Sequence, residues 1–178
     1  SRDIKLIDPK NGYPNNLLAL DQSSLTDLGR KYINETKWAR SSKPFFIDKM
    51  PNNFVHIGLI KLILPKAKII DARRNPMDAC FSCFKQYFAK GQHFTYDLDD
   101  IARYYKDYIR LMDYWKKLFP NEIFTINYED IINNPNDRIE DLLDFCHVEF
   151  EQNCLNFHQS KRPVKTASSE QVRQPMYK

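Results

Sequence analysis

Lys68-Ile69-Ile70-Asp71-Ala72-Arg73-Arg74-Asn75-Pro76-Met77-Asp78-Ala79-Cys80-Phe81-Ser82 is the stretch on which the fold turns. Its first five residues read as a short strand with an apolar pair inside. Asn75 followed by Pro76 reads as a helix start. Asparagine can cap free amides, and proline at the first helical position has a preset φ and lacks an N–H the helix cannot use. The helix is expected to run to about Ala89. A strand that passes through two arginines into a helix N-terminus is suited to an anion, because unpaired amides and the helix dipole favour negative charge there.

Working outward, Phe45-Phe46-Ile47-Asp48 reads as an earlier strand, and Asn53 as the cap of a helix over 54–64 that Pro65 follows. Downstream, Leu98, Ile101, Tyr105, Tyr108, Leu111, Met112 and Trp115 recur near helical spacing, so 97–119 is the longest expected helix, ended by Pro120 and Asn121. Glu122–Tyr128 alternates and is rich in β-branched and aromatic residues, a third strand. Asp137–Phe145 and Glu151–Phe157 read as helices. Upstream, Leu17, Leu18, Leu25, Leu28, Tyr32 and Ile33 suit one or two amphipathic helices, with Ser23 or Ser24 capping the second. Residues 1–16 and most of 161–178 read as loop. Strands separated by helices imply parallel crossovers, hence a three-layer α/β/α fold.

Bulk numbers agree with a packed domain. The 178 residues are 42% hydrophobic and 13% aromatic, which argues against disorder. Twenty-seven basic against 23 acidic residues leave a net charge of +4, scattered rather than clustered. That suits a small polyanion better than nucleic acid. No run approaches the length of a membrane span. Cysteines at 80, 83, 146 and 154 give no dense disulfide framework, so a reducing, cytoplasmic compartment is expected. Cys80-x-x-Cys83 lies inside a predicted helix without a second such pair, so packing is expected rather than metal. Asp97, Asp99 and Asp100 suit the dipole of the helix they precede.

In an open parallel sheet, ligands bind beyond the carboxyl ends of the strands. Applied here, the rule selects Lys49 after the first strand, Arg73 and Arg74 after the second, and Tyr128 at the end of the third. Two cationic positions and an aromatic at one rim describe a pocket for a phosphorylated nucleotide.

The segment Arg74 to Ser82 resembles the 3′-phosphate signature of the PAPS-dependent sulfotransferases, an arginine before Asn-Pro followed eight residues later by serine. Tyr128-Glu129-Asp130 resembles the segment whose tyrosine contacts adenine. Asp48-Lys49-Met50-Pro51 is similar to the catalytic-lysine segment. Ser168-Ser169-Glu170-Gln171-Val172-Arg173-Gln174-Pro175-Met176-Tyr177 is similar to the nucleotide-covering loop of tyrosylprotein sulfotransferases. The four motifs occur in the family's order over 45–178, most like the bacterial sulfotransferases attached to tetratricopeptide repeats and their tyrosylprotein relatives.

The resemblance implies a P-loop-like fold and a single sulfotransferase domain, with a helical lead-in over 1–44, an α/β core over 45–160 and a covering loop over 161–178. It implies PAPS as co-substrate, 3′,5′-bisphosphoadenosine as product and no metal. Lys49 would be catalytic. Arg74, Ser82, Tyr128, Ser168, Ser169, Gln171, Val172, Arg173 and Tyr177 would hold the nucleotide. The acceptor would be a hydroxyl of a protein tyrosine, a carbohydrate or a small alcohol. The family's phosphosulfate loop has no match among the four glycines, and Ser1 is not methionine, so an amino-terminally truncated, catalytically incomplete chain is expected. Gln86 stands where some relatives carry a second phosphate-binding arginine. His56 is a candidate base, with a packing role the plainer expectation. A nucleoside-kinase-type phosphotransferase would need a Walker loop and a magnesium ligand, and a non-catalytic nucleotide-binding module is the other rival.

Overall fold

Helix α1 (Gln22–Glu35) begins where Asp21 accepts the Ser24 N–H at 2.8 Å. The cap is thus Asp21, not Ser23 or Ser24: the carboxylate satisfies a free amide and suits the positive end of the helix dipole. The computed structural model describes residues 12–40, 43–88 and 91–159, and its chain divides into two units, Ser1–Ala67 and Lys68–Lys178.

In the first unit, α1 packs on α2 (Ile57–Ile63). A Cβ on Gly29 would lie 2.1 Å from the Ile63 carbonyl oxygen, so only glycine lets the two backbones approach this closely. Leu25 and Ile57 are buried. Lys61 is buried too, and its ammonium donates to the carbonyls of Pro65 at 2.6 Å and Ala67 at 3.0 Å beyond the end of α2. The expected helix over 54–64 is split, with a 3₁₀ stretch over Pro51–His56 before α2, and Asn53 makes no cap.

Phe45–Asp48 is not a strand. The segment has no ladder partner among the described residues, and Ile47 is 86% exposed. A strand needs its backbone groups paired, and here side chains fix the segment instead. Tyr32 donates its hydroxyl to Asp48 at 2.6 Å, and the Arg40 guanidinium lies 4.8 Å from the centre of the Phe46 ring.

The second unit is built on strands β1 (Ile69–Arg73) and, after α3 (Pro76–Lys85) and α4 (Leu98–Leu118), β2 (Ile123–Asn127). The strands are parallel, in register from Ile69↔Ile123 to Arg73↔Asn127. Side chains alternate across a sheet, so Asp71 and Thr125 share one face while Ile70 and Phe124 share the other. Tyr108 of α4 donates to Asp71 on the first face. On the second, Phe145 of α6 (Pro135–Cys146) lies 5.3 Å from Phe124, centre to centre. Helices thus cover both faces, the three-layer α/β/α plan. Ile101, Met112 and Ile126 are buried in this unit, each worth about 1.5–3 kcal/mol of burial.

Asn75 caps α3, its Oδ1 accepting from Met77 N at 2.9 Å and Asp78 N at 3.4 Å. The helix ends at Lys85, short of Ala89, because Gln86 turns extended and Tyr87 stacks on Tyr96. Asp97 caps α4 through the amides of Asp99 and Asp100. Tyr128 does not belong to a strand: it opens α5 (Tyr128–Asn133), a helix the sequence reading did not anticipate. Glu151–Phe157 is not one helix either, but turns over Gln152–Cys154 and onward from Phe157.

Candidate functional site

The register Arg73↔Asn127 brings the carboxyl ends of both strands to one rim. Arg74-Asn75-Pro76 leaves it into α3, and Tyr128-Glu129 leaves it as the first turn of α5. The two exits are joined directly. The backbone N–H of Asn75 donates to Glu129 Oε1 at 2.8 Å, and the Arg74 guanidinium lies 5.5 Å from the centre of the Tyr128 ring. Between them is a cavity of about 300 Å³ lined by Arg73, Arg74, Asn75, Tyr105, Asn127 and Glu129, together with Pro76.

The two adjacent arginines have different surroundings. Arg73 is only 17% exposed, and its Nε donates to Asp71 Oδ2 at 2.8 Å, with Nη2 at 2.7 Å from the same oxygen. Its guanidinium also lies 5.4 Å from the centre of the Tyr108 ring. Burial works against the Arg73 charge, but the bond and charge of Asp71 outweigh it and push its pKa up. Asp71, itself 4% exposed, also accepts from Tyr108 and from Thr125 at 3.2 Å, and Lys116 stands 3.7 Å away. Burial and this bond to Asp71 hold the Tyr108 phenol well above its usual range, so it stays a donor.

Arg74, in contrast, is 40% exposed and meets the exposed Asp78 at 3.7 Å. An exposed pair of that length holds its partner by about 0.2–1 kcal/mol. A phosphate, with more charge and several acceptor oxygens, is a stronger partner for a guanidinium than this pair.

Arg74 also borders a second groove of about 430 Å³, with Asp78, Phe81, Ser82, Lys85 and Gln86. Positions 74, 78, 82 and 86 are spaced by four, so these side chains line one face from the helix entry along α3. The sequence-selected Arg74 and Ser82 are therefore brought to one groove, and Tyr128 meets Arg74 from the first turn of α5. Lys85 was not singled out in the sequence, although its place three residues after Ser82 puts it on the same face.

The remaining selected residues fall elsewhere. Lys49 lies in the first unit, exposed, between the anchored Asp48 and the turn that begins at Pro51. His56 shares a 2.8 Å hydrogen bond between its Nδ1 and the Tyr13 hydroxyl, the two rings edge to face. Burial lowers its pKa and favours the neutral ring. Ser168, Ser169, Gln171, Val172, Arg173 and Tyr177 lie outside the described residues. Cys80 and Cys83 sit on α3 with both thiols pushed up by burial, which disfavours the thiolate a metal or a redox partner needs. Among the described residues no helix is long and apolar enough to cross a membrane, and no group of three or more acidic, histidine or cysteine side chains is placed to hold a metal.

Sequence reasoning missed Asp71 and Glu129 as members of the site. Asp71 had a signal: a carboxylate inside an apolar strand is buried only when paired.

Comparison with known proteins gives the chain a family. Residues 6–152 match the model of the Sulfotransferase family. An uncharacterized protein of Aquifex aeolicus (strain VF5) is 36% identical over 175 residues, which is 96% of this chain and 23% of that protein. The chain thus spans about a quarter of the length of that relative. With the family model matching most of its length, and with two parallel strands delivering an arginine and a helix N-terminus to one rim, the chain belongs to the sulfotransferase family.

Proposed function

We propose that the rim at the ends of β1 and β2 binds the 3′-phosphate and adenine of PAPS, and that the protein carrying this chain transfers the sulfuryl group to an acceptor hydroxyl. The observation that carries the reading is the division of labour between Arg73 and Arg74. Asp71 neutralises the first, and the second stands at a helix N-terminus, its ion partner among the described residues the exposed Asp78 and its guanidinium against the Tyr128 ring. Arg74 offers a charge-assisted fork to the 3′-phosphate, Ser82 adds a hydroxyl donor, and Tyr128 supplies a face for adenine.

In the transfer, the acceptor oxygen attacks sulfur in line. The bond from sulfur to the bridging oxygen breaks, 3′,5′-bisphosphoadenosine leaves, and the hydroxyl proton departs to a base. From its resemblance to the catalytic-lysine segment, Lys49 is assigned to stabilise charge on the bridging oxygen, as a fixed cation does at a developing anion. Ser168, Ser169, Gln171, Val172, Arg173 and Tyr177 are assigned to nucleotide binding from their resemblance to the covering loop. The acceptor is a hydroxyl of a protein tyrosine or of a carbohydrate, with protein favoured by the same resemblance.

Calorimetric titration of the intact protein with 3′,5′-bisphosphoadenosine and with adenosine 5′-monophosphate tests the reading. The bisphosphate should bind more tightly, and Arg74→Ala should weaken it by roughly 10–100-fold, the worth of a hydrogen bond to a charged group. The monophosphate should be little affected. Equal affinity for both nucleotides in the unaltered protein would overturn the assignment.

A further inference from the structure

From the geometry of the rim we infer that Glu129 is a positioning residue that sets selectivity for a 3′-phosphorylated nucleotide by fixing the peptide between Arg74 and Asn75. The inference rests on the nucleotide reading above. Asn75 spends its side chain on the amides of Met77 and Asp78, which leaves its own N–H outside the helix ladder. That N–H goes to Glu129 Oε1 at 2.8 Å, across 54 residues of sequence.

The peptide unit is planar, so holding the Asn75 N–H also fixes the plane that carries the Arg74 carbonyl. With β1 holding the chain up to Arg73 on the other side, both peptides that flank Arg74 are held, and the direction in which its side chain leaves the backbone is restricted. Glu129 is the neighbour of Tyr128, whose ring faces the Arg74 guanidinium. One hydrogen bond therefore sets the phosphate-binding arginine against the adenine-binding tyrosine.

The carboxylate does this without neutralising Arg74, whose ion partner is Asp78. Glu129 and Arg74 both line the cavity between the two segments. A loose Arg74 would still attract anions. It would no longer distinguish a phosphate on the 3′ side of the ribose from one on the 5′ side.

Three variants of the intact protein separate reach from charge. Glu129→Gln keeps an acceptor oxygen at the same reach, Glu129→Asp keeps the charge but is one methylene short, and Glu129→Ala keeps neither. Each is titrated with 3′,5′-bisphosphoadenosine and adenosine 5′-monophosphate after circular dichroism confirms its fold. The expected result is that Glu129→Asp and Glu129→Ala lower the bisphosphate-to-monophosphate affinity ratio by about tenfold, while Glu129→Gln stays within about threefold of the unaltered protein. If Glu129→Ala fails to fold, the Gln and Asp pair decides alone. An unchanged ratio in the Asp variant, or an equal loss in Gln and Asp, overturns the inference. Absence of any preference in the unaltered protein is a different failure, that of the nucleotide reading itself.

Discussion

Adjacent arginines at the end of β1 differ in what neutralises them, and that difference does most of the work at the rim. Asp71 is almost fully enclosed, with Arg73, Tyr108, Thr125 and Lys116 around it. Removing a carboxylate from such a cluster leaves a buried cation uncompensated, which costs about 3–5 kcal/mol. Asp71→Ala is therefore expected to lower stability by that amount in urea unfolding. A loss below about 1 kcal/mol, the worth of an ordinary exposed pair, would show that the cluster does not hold Arg73. Of these residues Arg74 was legible in the sequence, because its neighbours Asn75 and Pro76 carry a local helix-start pattern. The partnership of Asp71 with Tyr108, and that of Asn75 with Glu129, were not. They join positions 37 and 54 residues apart, and only the fold brings them together.

Among the elements, helix starts were more legible than helix ends or strands. Asn75 announces its helix by capping free amides, a local interaction that the sequence displays. Asp97, read only as suiting the helix dipole, caps α4, whereas the caps read at Asn53 and at Ser23 or Ser24 fall elsewhere. The end of α3 depends on Tyr87 reaching Tyr96, which is a tertiary contact. Phe45–Asp48 has the composition of a strand but no neighbour to pair with among the described residues, and composition cannot supply one. Tyr128 read as the end of the strand over Glu122–Tyr128, because an aromatic suits extended backbone, yet it opens the helix Tyr128–Asn133. Gly29 shows propensity and packing in direct competition. Alanine is better than glycine inside a helix by about 1 kcal/mol, but here its Cβ would meet the Ile63 carbonyl at 2.1 Å, where backbone has to move. Overpacking of that kind costs about 1–3 kcal/mol, and a clash with backbone belongs at the upper end. Gly29→Ala is expected to lower the thermal midpoint. A rise would mean that α1 and α2 can separate at no cost.

At the scale of the whole molecule, the site follows from topology. Parallel strands end at the same rim, so segments more than 50 residues apart in sequence, Arg74–Pro76 and Tyr128–Glu129, leave it together. Helices on both faces of the pair complete the layered plan that the alternation of strand and helix implied, and the match to the sulfotransferase family extends over residues 6–152. Lys49 belongs to the other unit, and its catalytic role is argued from the motif around it rather than from this rim. The central claim is that Arg74, and not Arg73, receives the 3′-phosphate. It is tested most directly by a crystal structure of the intact protein with 3′,5′-bisphosphoadenosine. The account predicts the 3′-phosphate within hydrogen-bonding distance of the Arg74 guanidinium and the Ser82 hydroxyl, with Arg73 still bound to Asp71. A 3′-phosphate held by Arg73, with the bond to Asp71 broken, would contradict it.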